Sequence, residues 1–513
     1  MVRHKRGRAP ACLNKPAKDQ KEFEMGYFEE VSPASLGIDE KGIETFLEKA
    51  DKAGLELHRM MILRHGKCCA RFIWEPYGED DLHPLYSFSK SLTAAAVGFA
   101  RQEGLLDLNE RAADLFEDQL PAEPNDNLMN CTLHHLLTMS CGHETESEDR
   151  GPDWIRSFFA HPFLHSPGTF YKYNTAGTNI LAAVIAKKTG MQVTDYLRSR
   201  LFDPLGIGEV GCAYLPDEAK TQVGGSGMKM TLEDMARFTQ FMLQDGCWEG
   251  KPLLKDWFFA RAGKKQIETA GDSEGHIKDW AFGYGYQCWM GPLENSFRAD
   301  GAYGQFGLVY PTLDMCIIIN ASTEQTQTLL DLVNEQILPG VGESREDSGK
   351  ALIRTYSLPA LKNCHDPLFE KKLEDSVYVI EEGGFMPGLD RLVAGAGLSG
   401  DWSDEVTKSI RFSFGQDHVL MTLTGEKEES AVWAAMDNSF ALSEFSGIRY
   451  AATARWRGKH RLEMEIRRLD AMSGARLILN FEEDRLWFEA EDSLISEGGL
   501  GIVPRPTAVF YRS

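Results

Sequence analysis

Ser87-Phe88-Ser89-Lys90 sets a hydroxyl and an amine three positions apart. On a helix that spacing puts both side chains on one face, a turn apart. A serine hydroxyl is a weak nucleophile until a neighbour takes its proton. A lysine whose pKa is depressed by burial and by nearby cations can take it. A serine at a helix start also holds its backbone N–H at the positive end of the helix dipole, where an oxyanion could form. A second S-x-x-K, Ser226-Gly227-Met228-Lys229, follows Gly224-Gly225 and reads as a flexible turn with no helix to align its ends. It is expected to be coincidence.

Two further segments carry usable chemistry. In the Pro/Gly loop from Pro167 to Thr175, Tyr173 could present its phenol to Ser87. Beside a lysine cation its pKa would fall, and it could shuttle a proton. The alternative is a ring that packs the loop on the core. From Asp300 to Gly307 the small residues around Ala302, Tyr303 and Gly304 lead into a strand. They would let a substrate lie along the strand edge, with a backbone N–H as a second oxyanion donor. The alternative is a simple turn. The sequence contains no G-x-S-x-G and no H-E-x-x-H, and its cysteines show no paired spacing. His134 and His135 are adjacent, so their side chains diverge on a helix, and no metal site is expected.

The elements that must position these residues follow from periodicity. Two apolar runs around His65-Gly66-Lys67 predict a β-hairpin from residue 58. Leu92, Ala95, Ala96 and Phe99 mark a helical face that Gly104 ends. Helices are predicted near 132–138, over 178–188 with Gly190 as the stop, and from a cap at Thr231 through Leu243. Strands are predicted at 283–290, 305–310 and 314–321, then a helix at 328–337. Strands that flank a helical middle predict an α+β domain whose sheet is closed by both ends of its own chain. The Gly-, Ser- and charge-rich stretch 340–350 marks a boundary. Beyond it, β-rich runs at 409–414, 418–424, 450–456, 460–468, 475–481 and 486–489 predict an antiparallel barrel or sandwich. The division expected is a disordered basic tail at 1–25, a catalytic domain at 26–340, a linker at 341–385 and a β domain at 386–513.

Composition limits the function classes. The 513 residues are 42% hydrophobic and 26% charged, enough for sizeable cores and incompatible with disorder as the main state. Lys plus Arg is 55 against 77 Asp plus Glu, a formal charge of −22, so nucleic acid is not expected as a partner. The dense basic patch, Arg3 to Arg8, has no apolar stretch after it to make a secretory signal. No apolar run is long enough to cross a bilayer. Ten cysteines, several inside apolar patterns, read as small buried hydrophobes of a reducing compartment. A cytoplasmic location and no membrane association are expected.

Taken in order, SFSKS, PGTFYKYNTAG and GAYGQFGLVYP resemble the serine β-lactamase-related hydrolases. These comprise class C β-lactamases, D-alanyl-D-alanine peptidases and their esterase and amidase relatives. LHHLLTMSCG at 133–142, GMKMTLEDMARF at 227–238 and FGYGYQCW at 282–289 add to the resemblance, which covers roughly residues 30–340. It implies a β-lactamase/transpeptidase-like fold, an antiparallel sheet with helices plus a helical subdomain. It implies Ser87 as the acylated nucleophile, Lys90 as its proton partner and Tyr173 as the tyrosine of the family's Y-x-N element. It implies an oxyanion hole from the backbone N–H groups of Ser87 and Gln305, with no metal and no cofactor. Lys188-Thr189-Gly190 spells the family's third triplet but reads as an ordinary helix end. Two departures stand out. Thr175 occupies the position where the family often has Asn, with Asn174 one place early. Ala302 stands where β-lactamases carry the Lys or His that meets a substrate carboxylate. Esters or uncharged amides of small molecules are therefore the expected substrates. The alternatives are a penicillin-binding peptidase or weak β-lactamase, and a non-catalytic binding scaffold. The C-terminal part resembles the extra β domain of some of these hydrolases.

Overall fold

The computed structural model describes residues 27–513 except 148–150, 256–257, 270–277, 345–346, 348, 363, 375, 394–404 and 493–506. The basic stretch at 1–25 lies outside the described residues.

The first sheet is built from both ends of the first domain. Helix α1 (Glu40–Lys52) precedes the hairpin β1 (Glu56–Arg64) and β2 (Lys67–Glu75). Helices α2 (Ser89–Gln102), α3 (Thr175–Thr189) and α4 (Leu232–Leu243) span the middle. The chain then returns through β3 (Trp289–Met290), β4 (Phe297–Gly301), β5 (Gln305–Tyr310), β6 (Met315–Ser322), α5 (Thr326–Leu332) and β7 (Leu352–Ser357). The strand order is β7-β2-β1-β6-β5-β4-β3. Every neighbouring pair is antiparallel except β7, which joins β2 in parallel, so the sheet is mixed rather than wholly antiparallel.

The sheet is covered on both faces, which explains its nearly continuous apolar strands. Met60 and Ile62 of β1 pack into the core with Phe46 of α1 and Leu330 of α5. Their neighbours Met61 and Leu63 face the opposite core, with Phe88, Leu92 and Phe238. The period of two along one strand thus serves two cores. At their ends the helices follow their caps. Thr231 accepts from Asp234 N at 3.1 Å to open α4, and Gly190 ends α3 in the left-handed region at φ 71°.

Two expectations change. The strand expected at 283–290 shrinks to Trp289–Met290. Gly283 has φ 112° and Gln287 φ 54°, and a side chain at Gly285 would collide with Ala262 O, so this backbone turns instead of extending. Within 341–385, expected as a linker, β7 belongs to the first sheet, Pro367–Leu373 is a helix, and Val377–Ile380 enters the second sheet.

That second sheet is a closed barrel, not a sandwich. Its strands are β8 (Val377–Ile380), β9 (Ser409–Phe414), β10 (His418–Thr424), β11 (Glu429–Ala435), β12 (Ala441–Phe445), β13 (Ile448–Trp456), β14 (Arg461–Arg468), β15 (Ser473–Glu482), β16 (Arg485–Asp492) and β17 (Thr507–Arg512). The order runs β11-β10-β9-β8-β17-β16-β15-β14-β13, and a parallel bridge from Ala435 to Thr453 closes β11 on β13. Strand β12 pairs along β13. Phe412, Met421, Tyr450, Trp456, Leu477, Phe481 and Phe510 fill the interior with side chains. The barrel docks on the first domain through Arg467 to Glu56 at 2.7 Å, Lys229 to Asp470 at 2.7 Å, and Arg449 to Asp81.

Candidate active site

Ser87 lies in a single 3₁₀ turn, Tyr86–Phe88, that runs directly into α2. The continuous helical path carries Lys90 back beneath the serine. Its Nζ donates to Ser87 Oγ at 3.0 Å, approaches Thr175 Oγ1 at 3.3 Å and donates to Gly225 O at 2.7 Å. Lys90 is 1% exposed, so these oxygens replace water around its amine.

Tyr173 and Thr175 arrive from the loop that leads into α3. Lys90 Nζ sits 4.8 Å from the centroid of the Tyr173 ring, which stacks on Trp289 at 5.6 Å. Thr175 is the first residue of α3, which places its hydroxyl beside Lys90. Asn174 turns elsewhere. It is the N-cap of α3, accepting from Gly177 N at 3.1 Å, and its amide meets His143 Nδ1 at 2.8 Å in a buried setting. Burial holds His143 down at about 3, in its neutral form. Of the adjacent pair, Thr175 therefore touches the lysine and Asn174 holds the helix.

The strand edge expected from Asp300 to Gly307 packs directly on the serine turn. A side chain at Gly301 would collide with Leu85 O and come within 3.2 Å of Phe88 N. A side chain at Gly307 would fall 2.8 Å from the ring of Phe88. Ala302 is exposed, while Gln305 is buried with its side-chain amide on Ala321 O at 2.7 Å. Tyr303 stands at φ 64° next to Gly304 at φ 91°, and its ring meets Tyr86 edge-on at 5.3 Å. Burial and the Tyr303 phenol push the Tyr86 phenol up, and burial raises Tyr303 as well, so both stay protonated.

Sequence reasoning missed two contributors. The Gly224-Gly225 segment is not a free turn. Gly225 O accepts from Lys90, Gly225 N donates to Asn179 Oδ1 at 3.0 Å, and Thr93 Oγ1 donates to Gly224 O at 2.8 Å. A side chain at Gly225 would fall 2.7 Å from Thr175 Cγ2, and one at Gly224 2.8 Å from Ala182 Cβ. The paired glycines were the available signal, because close backbone approach requires them. Lys229, the end of the second S-x-x-K, pairs with Asp470 of the barrel rather than with Ser226. The other contributor is Glu146, whose Oε1 accepts the Thr175 N–H at 2.5 Å. Glu146 sits in an acidic run with Glu144, Glu148 and Asp149, and nothing in the sequence singles it out from them.

Lys188-Thr189-Gly190 is the helix end that its sequence suggests, with Lys188 paired to Glu110 at 2.6 Å. Among the described residues no three His, Cys, Asp or Glu side chains gather as a metal cage, and no helix is long and apolar enough to cross a membrane.

The family model described as Beta-lactamase matches residues 59–339, more than half of the chain. The chain belongs to the beta-lactamase family. The match takes in the serine turn, the Tyr173 loop and the strand edge together. Among individual relatives, a D-aminopeptidase of Brucella anthropi is 27% identical over 194 residues, covering 33% of this chain and 37% of its own length. The chain thus spans little more than a third of that relative. A 6-aminohexanoate-dimer hydrolase of Paenarthrobacter ureafaciens is 23% identical over 278 residues, 50% of this chain and 70% of its own length. The crystal structure of a putative beta-lactamase from Bacteroides dorei superposes with TM-score 0.50 at 15% identity, over 58% of this chain and 99% of that one. That likeness shows the β-lactamase/transpeptidase-like fold.

Proposed function

We propose that this chain is a serine hydrolase that cleaves an ester or amide of a small molecule through an acyl-enzyme on Ser87. The observation that carries the reading is the 3.0 Å contact between Lys90 Nζ and Ser87 Oγ at the head of α2. It is the short donor–acceptor pair that nucleophile activation needs. In its neutral form Lys90 takes the hydroxyl proton as Ser87 Oγ bonds to the substrate carbonyl carbon. The carbonyl oxygen becomes an oxyanion facing the backbone N–H groups of Ser87 and Gln305. Tyr173, beside the same amine, passes the proton to the leaving group as the C–O or C–N bond breaks. Water then attacks the acyl-enzyme by the reverse proton route. Thr175 and the strand edge at Ala302, Tyr303 and Gly304 flank the substrate, while Asn174 positions α3.

Ala302 speaks to substrate class. It offers no charge where β-lactamases in the resembling family hold a substrate carboxylate, so penicillin-like and peptidoglycan-stem substrates are disfavoured against esters and amides without that group. The names of the relatives include an aminopeptidase and an amide-dimer hydrolase, consistent with acyl transfer to water as the shared reaction.

The test is steady-state hydrolysis of a p-nitrophenyl ester and of a p-nitroanilide by the full chain. Ser87→Ala is expected to lower kcat/KM by about a thousandfold or more, the scale on which nucleophile removal acts. Equal rates in the two proteins would overturn the assignment.

A further inference from the structure

Arg59 of β1 lies opposite Asn320 of β6 and is 0% exposed. Its Nη1 donates to Gly78 O at 3.2 Å and to Asp81 O at 2.6 Å. Among the described residues nothing accepts from Nε or Nη2. Those two nitrogens form one edge of the planar guanidinium and present parallel N–H donors, the fork that takes both oxygens of a carboxylate. The carboxylates around it are engaged elsewhere. Asp81 accepts from Gly78 N at 2.6 Å and from Arg449, while Glu56 bonds His58 at 2.9 Å and Arg467 at 2.7 Å. The neighbouring imidazoles are also committed, His58 to His83 and Glu56, and His83 to His58 and Pro84 O. Burial pushes the Arg59 guanidinium down to about 9, which leaves it charged at neutral pH. The carbonyls on Nη1 supply dipoles but no negative charge. A buried charge without a counter-ion is costly, and two unmatched donors add to that cost. Asp81 also lines a cavity of about 450 Å³ between the first domain and the barrel, so open volume lies one residue from the guanidinium.

We propose that the Nε/Nη2 edge of Arg59 is a binding site for a small carboxylate, which serves as the counter-ion of this buried guanidinium. Each N–H donates to one carboxylate oxygen in a charge-assisted hydrogen bond, and no bond or proton is exchanged. With its charge met, Arg59 ties the 78–81 segment to β1 beside the barrel. The site is separate from Ser87 and does not depend on the reading of Ser87 as a nucleophile.

The test is equilibrium dialysis of radiolabelled formate against the full chain at neutral pH and constant ionic strength. One saturable formate per chain is expected. Chloride, which cannot span both donors with two oxygens, is expected to compete at least about tenfold more weakly. Arg59→Met removes the fork and the charge together and is expected to abolish the bound formate. Arg59→Lys keeps the charge without the fork and is expected to weaken binding at least about tenfold. No saturable formate in the wild-type chain would overturn the proposal. So would formate that stays bound in Arg59→Met, or chloride that competes as well as formate itself. If neither variant folds, the wild-type chain decides by its thermal unfolding midpoint. That midpoint should rise with formate and not with chloride at equal ionic strength, and equal midpoints in the two salts would overturn the proposal.

Discussion

Lys90 bridges three pieces of chain that are distant in sequence, the serine turn, the head of α3 and the Gly224-Gly225 segment. Burial opposes the charge of an amine at such a position, which favours its neutral form. Lys90→Met keeps the length of the side chain and removes the proton acceptor. It is expected to lower kcat/KM by about 10²–10⁴, the usual contribution of a positioned base, with the circular dichroism spectrum unchanged. Hydrolysis within a factor of two of wild type would show that the serine is activated by another group. The Ser87–Lys90 relation was legible in the sequence because it is local, set by a three-residue spacing from the serine turn into α2. The roles of Asn174 and Thr175 were not separable there. Which of them faces the lysine depends on the N-cap, and the N-cap depends on His143, 31 residues away.

At the scale of elements, long periodic segments read correctly and backbone exceptions did not. Helices α3 and α4 carry their caps in sequence, at Gly190 and Thr231, and begin or end there. Residues 283–290 have strand composition, yet Gly283, Gly285 and Gln287 bend the backbone around contacts with Ala262 and Lys265 that no local pattern reveals. Strands β11 and β12 escaped notice for a different reason. Three alanines in β11 weaken its strand signal, and β12 is five residues that pair only as an edge to β13. The Gly224-Gly225 segment was misread because a turn and a buried site wall share one composition. Only its neighbours Thr93, Asn179 and Thr175 distinguish them.

At the scale of the whole molecule, the barrel and the first domain share a buried polar seam. Glu56 of β1 bonds His58 at 2.9 Å and Arg467 of the barrel at 2.7 Å, and His58 bonds His83 at 2.9 Å. Arg59, Lys229 and Tyr77 complete the charged and titratable surroundings of the two imidazoles. Burial holds both histidines below their ordinary value, with nearby guanidinium charge acting in the same direction and the Glu56 carboxylate partly opposing it at His58. Burial raises the Glu56 carboxyl, but His58 and Arg467 outweigh it and hold it at about 2. A depressed histidine takes up its proton more readily in the unfolded chain, so stability is complete above about pH 6.5 and falls as pH drops below it. Glu56 contributes in the same direction at lower pH, its stabilisation present above the carboxylate range and lost toward pH 2. Urea unfolding of the full chain is expected to shift to lower midpoints between pH 7 and pH 5. His58→Phe should shrink that shift, and identical pH slopes for the two proteins would contradict this account of the seam. Glu463 of the barrel is a fully buried carboxylate, held at about 2 against burial by Arg455, Arg457 and Arg476. Like Glu56, it contributes stability that is lost mainly below pH 5. The central claim, that Ser87 is an activated nucleophile, is tested most directly by intact mass after incubation with a fluorophosphonate, beside Ser87→Ala and a parallel penicillin incubation. The account predicts one phosphonyl adduct per chain, absent from Ser87→Ala, and no stable penicillin adduct. An unmodified wild-type mass, or an adduct that persists in the variant, would contradict it.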